Sequence, residues 1–188
     1  MEILCVVSAS MSAAPLPTSS SSRATGTLLS AKFCRRAAID VALGFVDRSL
    51  ALNLSFARGW FMSGLLRLFA GQPDVALEHF DTFLRLSPRD RLAFYWTSVG
   101  NALFFNRRFD DAVPKLLASL EQVPTFALTY RLLAACYAHM DRLDDARGVI
   151  DRLRAMTPVV VPNALPYRNS EHRELFLSGL RLAAGEAM

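Results

Sequence analysis

Residues 96–124 read WTSVGNALFFNRRFDDAVPKLLASLEQVP. The landmarks in this stretch are a large aromatic (Trp96), a small residue (Gly100), an aspartate (Asp110), an alanine (Ala112), an apolar residue (Leu116) and a proline (Pro124). The same order, at the same internal offsets, stands on either side of it. Upstream the landmarks are Trp60, Gly64, Asp74, Ala76, Phe80 and Pro88. Downstream they are Tyr130, Ala134, Asp144, Ala146, Ile150 and Pro158. The alanines lie 36 and then 34 residues apart. Agreement at six positions in three copies marks an internal repeat, which sets the architecture before any local element is considered.

Each landmark has a physical reason. From the aromatic onward the apolar residues fall at helical spacing, as in Trp60, Gly64, Leu65 and Leu68. Turns follow at Gly71-Gln72-Pro73, Asn106-Arg107-Arg108 and Met140-Asp141-Arg142. The aspartate then sits in the first turn of a second helix, where the macrodipole favours negative charge. A small alanine lets the two helices approach, and the large aromatic is expected to fill the space beside it. The repeating proline marks where the second helix stops. Pro114 falls inside a helix but near its start, where little is lost. The expectation is a nearly all-α chain of helix–turn–helix units.

This pattern resembles the tetratricopeptide repeat (TPR), and the resemblance covers residues 57–160 as three repeats. The second copy carries two extra residues, Arg89 and Asp90, and Ser63 and Arg67 stand where the consensus has Leu and Tyr. Two further strings resemble the TPR tails of bacterial class III adenylate/guanylate cyclase-like proteins. They are Asn53-Leu54-Ser55-Phe56-Ala57-Arg58-Gly59-Trp60-Phe61-Met62-Ser63-Gly64, and Pro166-Tyr167-Arg168 with Glu174-Leu175-Phe176-Leu177-Ser178-Gly179-Leu180-Arg181. In those proteins a catalytic domain precedes the repeats. The resemblance implies a stand-alone or truncated regulatory tail, with no cyclase activity of its own.

Outside the repeats the signal fades. Asp40, Ala42 and Val46 keep three landmarks of a partial fourth unit, but Leu54 replaces the proline and Gly26 the aromatic. Residues 28–56 are therefore read as a degenerate repeat helix, and residues 1–27, rich in Ser, Thr and Pro, as a disordered arm. Residues 1–14 are faintly signal-like, but Glu2 stands where a basic start is expected. Residues 161–188 are read as an extended, proline-punctuated segment and a capping helix. Asn169 or Ser170 caps that helix, Phe176, Leu177 and Leu180 share a face, and Gly185 ends it. A solenoid exposes its last repeat, and an amphipathic helix covers it.

Composition narrows the function class. The 188 residues are 52% apolar with a mean hydropathy of +0.24, which excludes wholesale disorder. Charges interrupt every apolar stretch short of a membrane-spanning length, so no membrane association is expected. Cys5, Cys34 and Cys136 are odd in number and scattered, which excludes a disulfide scaffold and suggests a reducing, cytoplasmic setting. Most of the net charge of +4 comes from Arg23, Lys32, Arg35 and Arg36 near the start. The rest of the chain is close to neutral, so no nucleic-acid partner is expected.

The sequence carries no recognisable catalytic motif. Gly59 and Gly64 have the outer spacing of a phosphate loop, but Leu65-Leu66 stand where Lys-Ser/Thr must be. His79, His139 and His172 are far apart, with no metal-ligand spacing, and His139 is expected to be exposed at a helix end. Cys136 reads as a small buried hydrophobe. Asp110-Asp111 reads as a helix N-terminal pair rather than an acid–base couple. The Asn53-Leu54-Ser55 sequon is formal only. No enzyme, cofactor or metal is expected.

Binding remains. In TPR solenoids the first helices of successive repeats line a concave groove. By repeat position that face should include Arg58, Phe61, Leu65, Phe94, Thr97, Asn101, Leu128 and Arg131. The lysine and asparagine that clamp a carboxylate in chaperone-binding TPR domains are replaced here by Phe61 and Leu65. Aromatics with two arginines suit an apolar or amphipathic segment of some acidic character. The same aromatics could instead be covered by the N-terminal helix or by a neighbouring chain. The expected function is a protein-interaction scaffold, with a structural homo-oligomer as the alternative.

Overall fold

The computed structural model describes residues 22–90 and 92–185, with side chains from Ala37 onward. Among these residues there are eight helices and no strand. They are α1 (Ser22–Leu52), α2 (Ala57–Ala70), α3 (Pro73–Leu86), α4 (Ala93–Phe105), α5 (Phe109–Gln122), α6 (Ala127–His139), α7 (Leu143–Met156) and α8 (Ser170–Ala184). The chain divides after residue 35 into two units, and the packing of α2 to α8 belongs to the second. The expected all-α repeat architecture is what the chain adopts. The degenerate helix starts at Ser22 rather than at residue 28, while residues 1–21 of the expected arm lie outside the described residues.

Helices pair within each repeat, α2 on α3, α4 on α5 and α6 on α7, and α3 meets α4 as α5 meets α6. The second helices are amphipathic. Each buries one stripe: Ala76, Phe80 and Phe83 in α3; Ala112, Leu116 and Ser119 in α5; Ala146, Val149, Ile150 and Leu153 in α7. The three alanine anchors are wholly inaccessible. A Cβ built on Gly64 would lie 2.5 Å from the Phe80 ring, and one on Gly100 2.6 Å from Leu116. The side chain that fills the helix crossing is therefore the apolar residue four after the anchor. Trp60 and Trp96, expected in that role, are only half-buried. Trp60 donates its indole N–H to the Leu54 carbonyl (2.9 Å), and Trp96 lies under the Lys115 ammonium (5.2 Å).

The turns share a conformation that their sequences do not. Gly71 (φ 92°), Arg107 (φ 56°) and Asp141 (φ 59°) occupy the same repeat position, and all three are left-handed. Only glycine adopts this region without steric cost. Each second helix then ends two residues before its proline, at Leu86, Gln122 and Met156. Pro114 is the sixth residue of α5, so one interior hydrogen bond is forgone, and the helix continues through it.

Candidate binding face

The eight residues expected on the groove separate into three groups. Phe61 and Leu65 are buried, and Phe61 packs on Phe80, Phe83 and Phe94. Thr97 is also internal, its hydroxyl bonded to those of Ser119 (2.8 Å) and Thr129 (2.7 Å) where repeats two and three meet. These three residues are core. Arg58 is exposed, and Phe94 and Leu128 are half-buried, with Phe94 also against Phe126. The remaining two, Asn101 and Arg131, hold a segment of the chain's own C-terminal region.

That segment, residues 157–169, has no regular secondary structure and crosses the first helices in reverse order. Over α6, the Arg131 guanidinium donates to the main-chain carbonyls of Val159 (2.6 Å) and Val160 (3.0 Å). Over α4, the Tyr167 phenol exchanges hydrogen bonds with the Asn101 amide (2.9 and 3.2 Å), and its ring packs edge-on to Phe105 at 4.5 Å. Over the end of α2, the Arg168 amide donates to the Phe69 carbonyl (2.7 Å). Pro158, Pro162 and Pro166 favour this extended path and bring no N–H of their own to satisfy. The segment acts as a strap over all three repeats.

The strap is locked at its far end. Arg173 donates to the carbonyls of Tyr167 (2.7 Å) and Arg168 (2.8 Å), and Arg168 pairs with Asp40 of α1 (2.6 Å). Asn169 caps α8 by accepting from the Glu171 amide (2.8 Å). This helix then runs back over α6 and α7, burying Phe176, Leu180 and Ala183. Gly179 allows the close approach, since a Cβ there would meet His139 at 2.8 Å and Ala135 at 2.9 Å. His139 is thus half-buried rather than exposed. Its Nε2 bonds the Leu175 carbonyl (2.8 Å), and its ring stacks on Phe109.

Burial shapes the electrostatics. Tyr167 is almost wholly inaccessible, and that burial pushes its phenol well above the usual range, opposed only by the bond to Asn101. Arg131 is lowered by its partial burial. His172, stacked on Phe105 at 4.5 Å, is lowered chiefly by desolvation, against Glu171. Burial raises the Cys136 thiol to about 12, so it is no nucleophile near neutral pH. Among the described residues no group of three His, Cys, Asp or Glu side chains could hold a metal ion. In the same residues no helix is long and apolar enough to cross a membrane.

Three features of this face escaped the sequence reading: the strap, its Tyr167 anchor, and the row of Phe69, Phe105 and His139 along the ends of the first helices. A signal was present. Residues Thr97 to Phe105 of α4 are all buried, and Ala102, Leu103, Phe104 and Phe105 are apolar on every side of the helix. A groove helix open to water would be polar on one side, so the all-round pattern signals a cover on both faces.

Solved structures share this architecture at low sequence identity. The chain is similar to MamA (18% identical, TM-score 0.58, covering 80% of this chain and 90% of that one). It is also similar to MamA 41-end from Desulfovibrio magneticus RS-1 (18%, TM-score 0.60, 85% and 84%). YrrB, described as a TPR protein with an unusual peptide-binding site, is similar too (21%, TM-score 0.55, 85% and 81%). No curated protein matches the chain. The sequence profile of the tetratricopeptide repeat matches residues 61–99 and 100–159, more than half of the chain. The chain belongs to the tetratricopeptide repeat family.

Proposed function

We propose that this protein is an interaction scaffold whose first helices bind an extended segment of a partner protein. The observation that carries the reading is the strap itself: this face already holds an extended stretch of polypeptide across three repeats, through Arg131, Asn101 and the Phe69 carbonyl. Main-chain carbonyls held by a guanidinium are features any extended peptide offers. The peptide-binding site named for YrrB belongs to that protein, and it supports the reading as an analogy of fold. In this reading Arg58, Phe94, Leu128 and Arg131 face the partner, while Phe61, Leu65 and Thr97 support them from beneath. The chain supplies binding and no chemistry, and it works in the cytoplasm, where three scattered cysteines stay reduced.

A random peptide library selected against the full chain tests this. Binders should lose about thirtyfold on Arg131→Ala or Phe94→Ala, as expected for an interface anchor of about 2 kcal/mol. Binders indifferent to both substitutions would move the interaction off this face.

A second reading, self-association, is favoured by α1. Val41, Phe45 and Leu52 are exposed along one side of that helix, with Leu54 and Phe56 exposed just beyond it. Light scattering across a hundredfold concentration range tests it, and a monomer throughout would end it. The reading as a regulatory tail of a cyclase-like protein is supported by the likeness of residues 53–64 and 166–181. Pull-down with such a cyclase catalytic domain tests it.

A further inference from the structure

We propose that the partner segment is an extended, proline-containing stretch with a tyrosine anchor and a following arginine, and that it enters by displacing the chain's own residues 159–168. The inference rests on the interaction reading above and names the kind of ligand that face takes.

The strap defines the ligand because it is seated on the face. Leu165 and Tyr167 are its buried side chains, and between them Pro166 is exposed. The Tyr167 phenol is matched to an amide, Asn101, which both donates to it and accepts from it inside the core. A phenylalanine in its place would leave that buried amide unsatisfied, so the site discriminates for tyrosine. The Arg168 guanidinium finds a carboxylate at Asp40, and its main chain finds the Phe69 carbonyl. Side-chain selection is thus concentrated on Leu-Pro-Tyr-Arg, and the upstream residues are held by their backbone at Arg131.

Displacement is open to the strap in a way it is not to the helices. Residues 157–169 are held by side-chain contacts and single main-chain hydrogen bonds rather than a ladder, so an incoming segment with the same groups replaces the buried Tyr167 and its bonds one for one. The strap competes as a tethered ligand, with an effective concentration in the millimolar range. A free segment of the same kind therefore binds the wild-type chain weakly and a strap-weakened chain strongly.

The probe is a fluorescein-labelled synthetic peptide of residues 158–169, titrated against the full-length wild type and full-length Tyr167→Ala. The variant should bind at least tenfold tighter, and a probe with alanine at the tyrosine position should lose that gain. Because Tyr167→Ala could unfold the chain, a second measurement uses the wild type. In an isotope-labelled wild-type chain, saturating unlabelled peptide should move the Arg168 amide resonance out of its bonded position while α4 and α6 resonances persist. Binding of equal strength to both chains, with the Arg168 amide unmoved, would overturn the displacement while leaving the interaction reading intact. No binding to either folded chain would overturn both. A wild-type dimer that the peptide dissociates would assign the site to a second copy's strap and overturn the foreign partner.

Discussion

Two regions flank the repeats, and they behave in opposite ways. α1 is the longest helix among the described residues, yet Phe45 is 71% exposed and Val41 58%. The strap has no regular structure, yet Tyr167 is 2% exposed and belongs to the main core with Leu165. Among the described side chains of α1, from Ala37 onward, only Ile39 and Leu50 are buried, and neither joins that core. Regularity of backbone therefore does not measure attachment. What holds a segment to a solenoid is how much apolar surface it buries and whether its polar groups find partners.

The largest test of this contrast is the same truncation made in both regions. Tyr167→Ala should cost about 3–5 kcal/mol, because a fully buried aromatic leaves a cavity against Phe105 and Phe176. Phe45→Ala should stay within about 0.5 kcal/mol. Urea unfolding of the two variants checks the pair, and equal costs would break the comparison.

The next test separates the strap's polar latch from its packing. Asn101→Ala should destabilise by about 1–3 kcal/mol, since it leaves the Tyr167 phenol buried without a partner. Adding Tyr167→Phe to that variant should restore part of the loss. A double-mutant cycle with no coupling would show that the hydrogen bond contributes nothing beyond the packing.

The architecture was legible in the sequence because helix pairs that stack in register must repeat their small and large residues in register. Ala76, Ala112 and Ala146, and the prolines that follow them, could be read directly. The role of the half-buried tryptophans could not, because a position in a repeat does not say which neighbour reaches the crossing first. The left-handed turns at Arg107 and Asp141 left no glycine to find. The strap was hidden for a different reason. An irregular segment has no period, and its path depends on partners far away, as when Tyr167 meets Asn101. Half of the expected groove residues proved to be buried, because position in a helix fixes direction but not what lies above it.

A third test uses pH. His172 sits at the junction of strap and α8, and its folded-state affinity for protons is lowered from 6.5, chiefly by desolvation. The folded state then holds fewer protons than the unfolded one. The contribution is present above about pH 6.5 and is lost as the pH falls through the lowered value. His79 is lowered in the same sense, so both histidines weaken the fold in mild acid. The melting temperature should fall between pH 7 and 5, and His172→Gln should flatten that fall. A curve unchanged by His172→Gln would remove this residue from the strap's energetics.

The smallest expected effect concerns how α1 is held. Asp47 pairs with Arg67 of α2 at 2.8 Å, and Asp40 with Arg168 of the strap at 2.6 Å. The two carboxylates are 48% and 54% exposed, so water and salt screen both pairs. Exposed pairs of this kind contribute about 0.2–1 kcal/mol. Asp47→Asn and Asp40→Asn should each cost no more than that, and the difference should vanish in about 1 M salt, where the screening length falls to about 3 Å. The two substitutions still differ in what they touch. Asp47→Asn loosens α1 alone, whereas Asp40→Asn frees the strap's arginine, so only the second should speed hydrogen exchange at the Arg168 amide. If both variants sped that exchange equally, α1 and the strap would be one mechanical unit, and the contrast between them would fail.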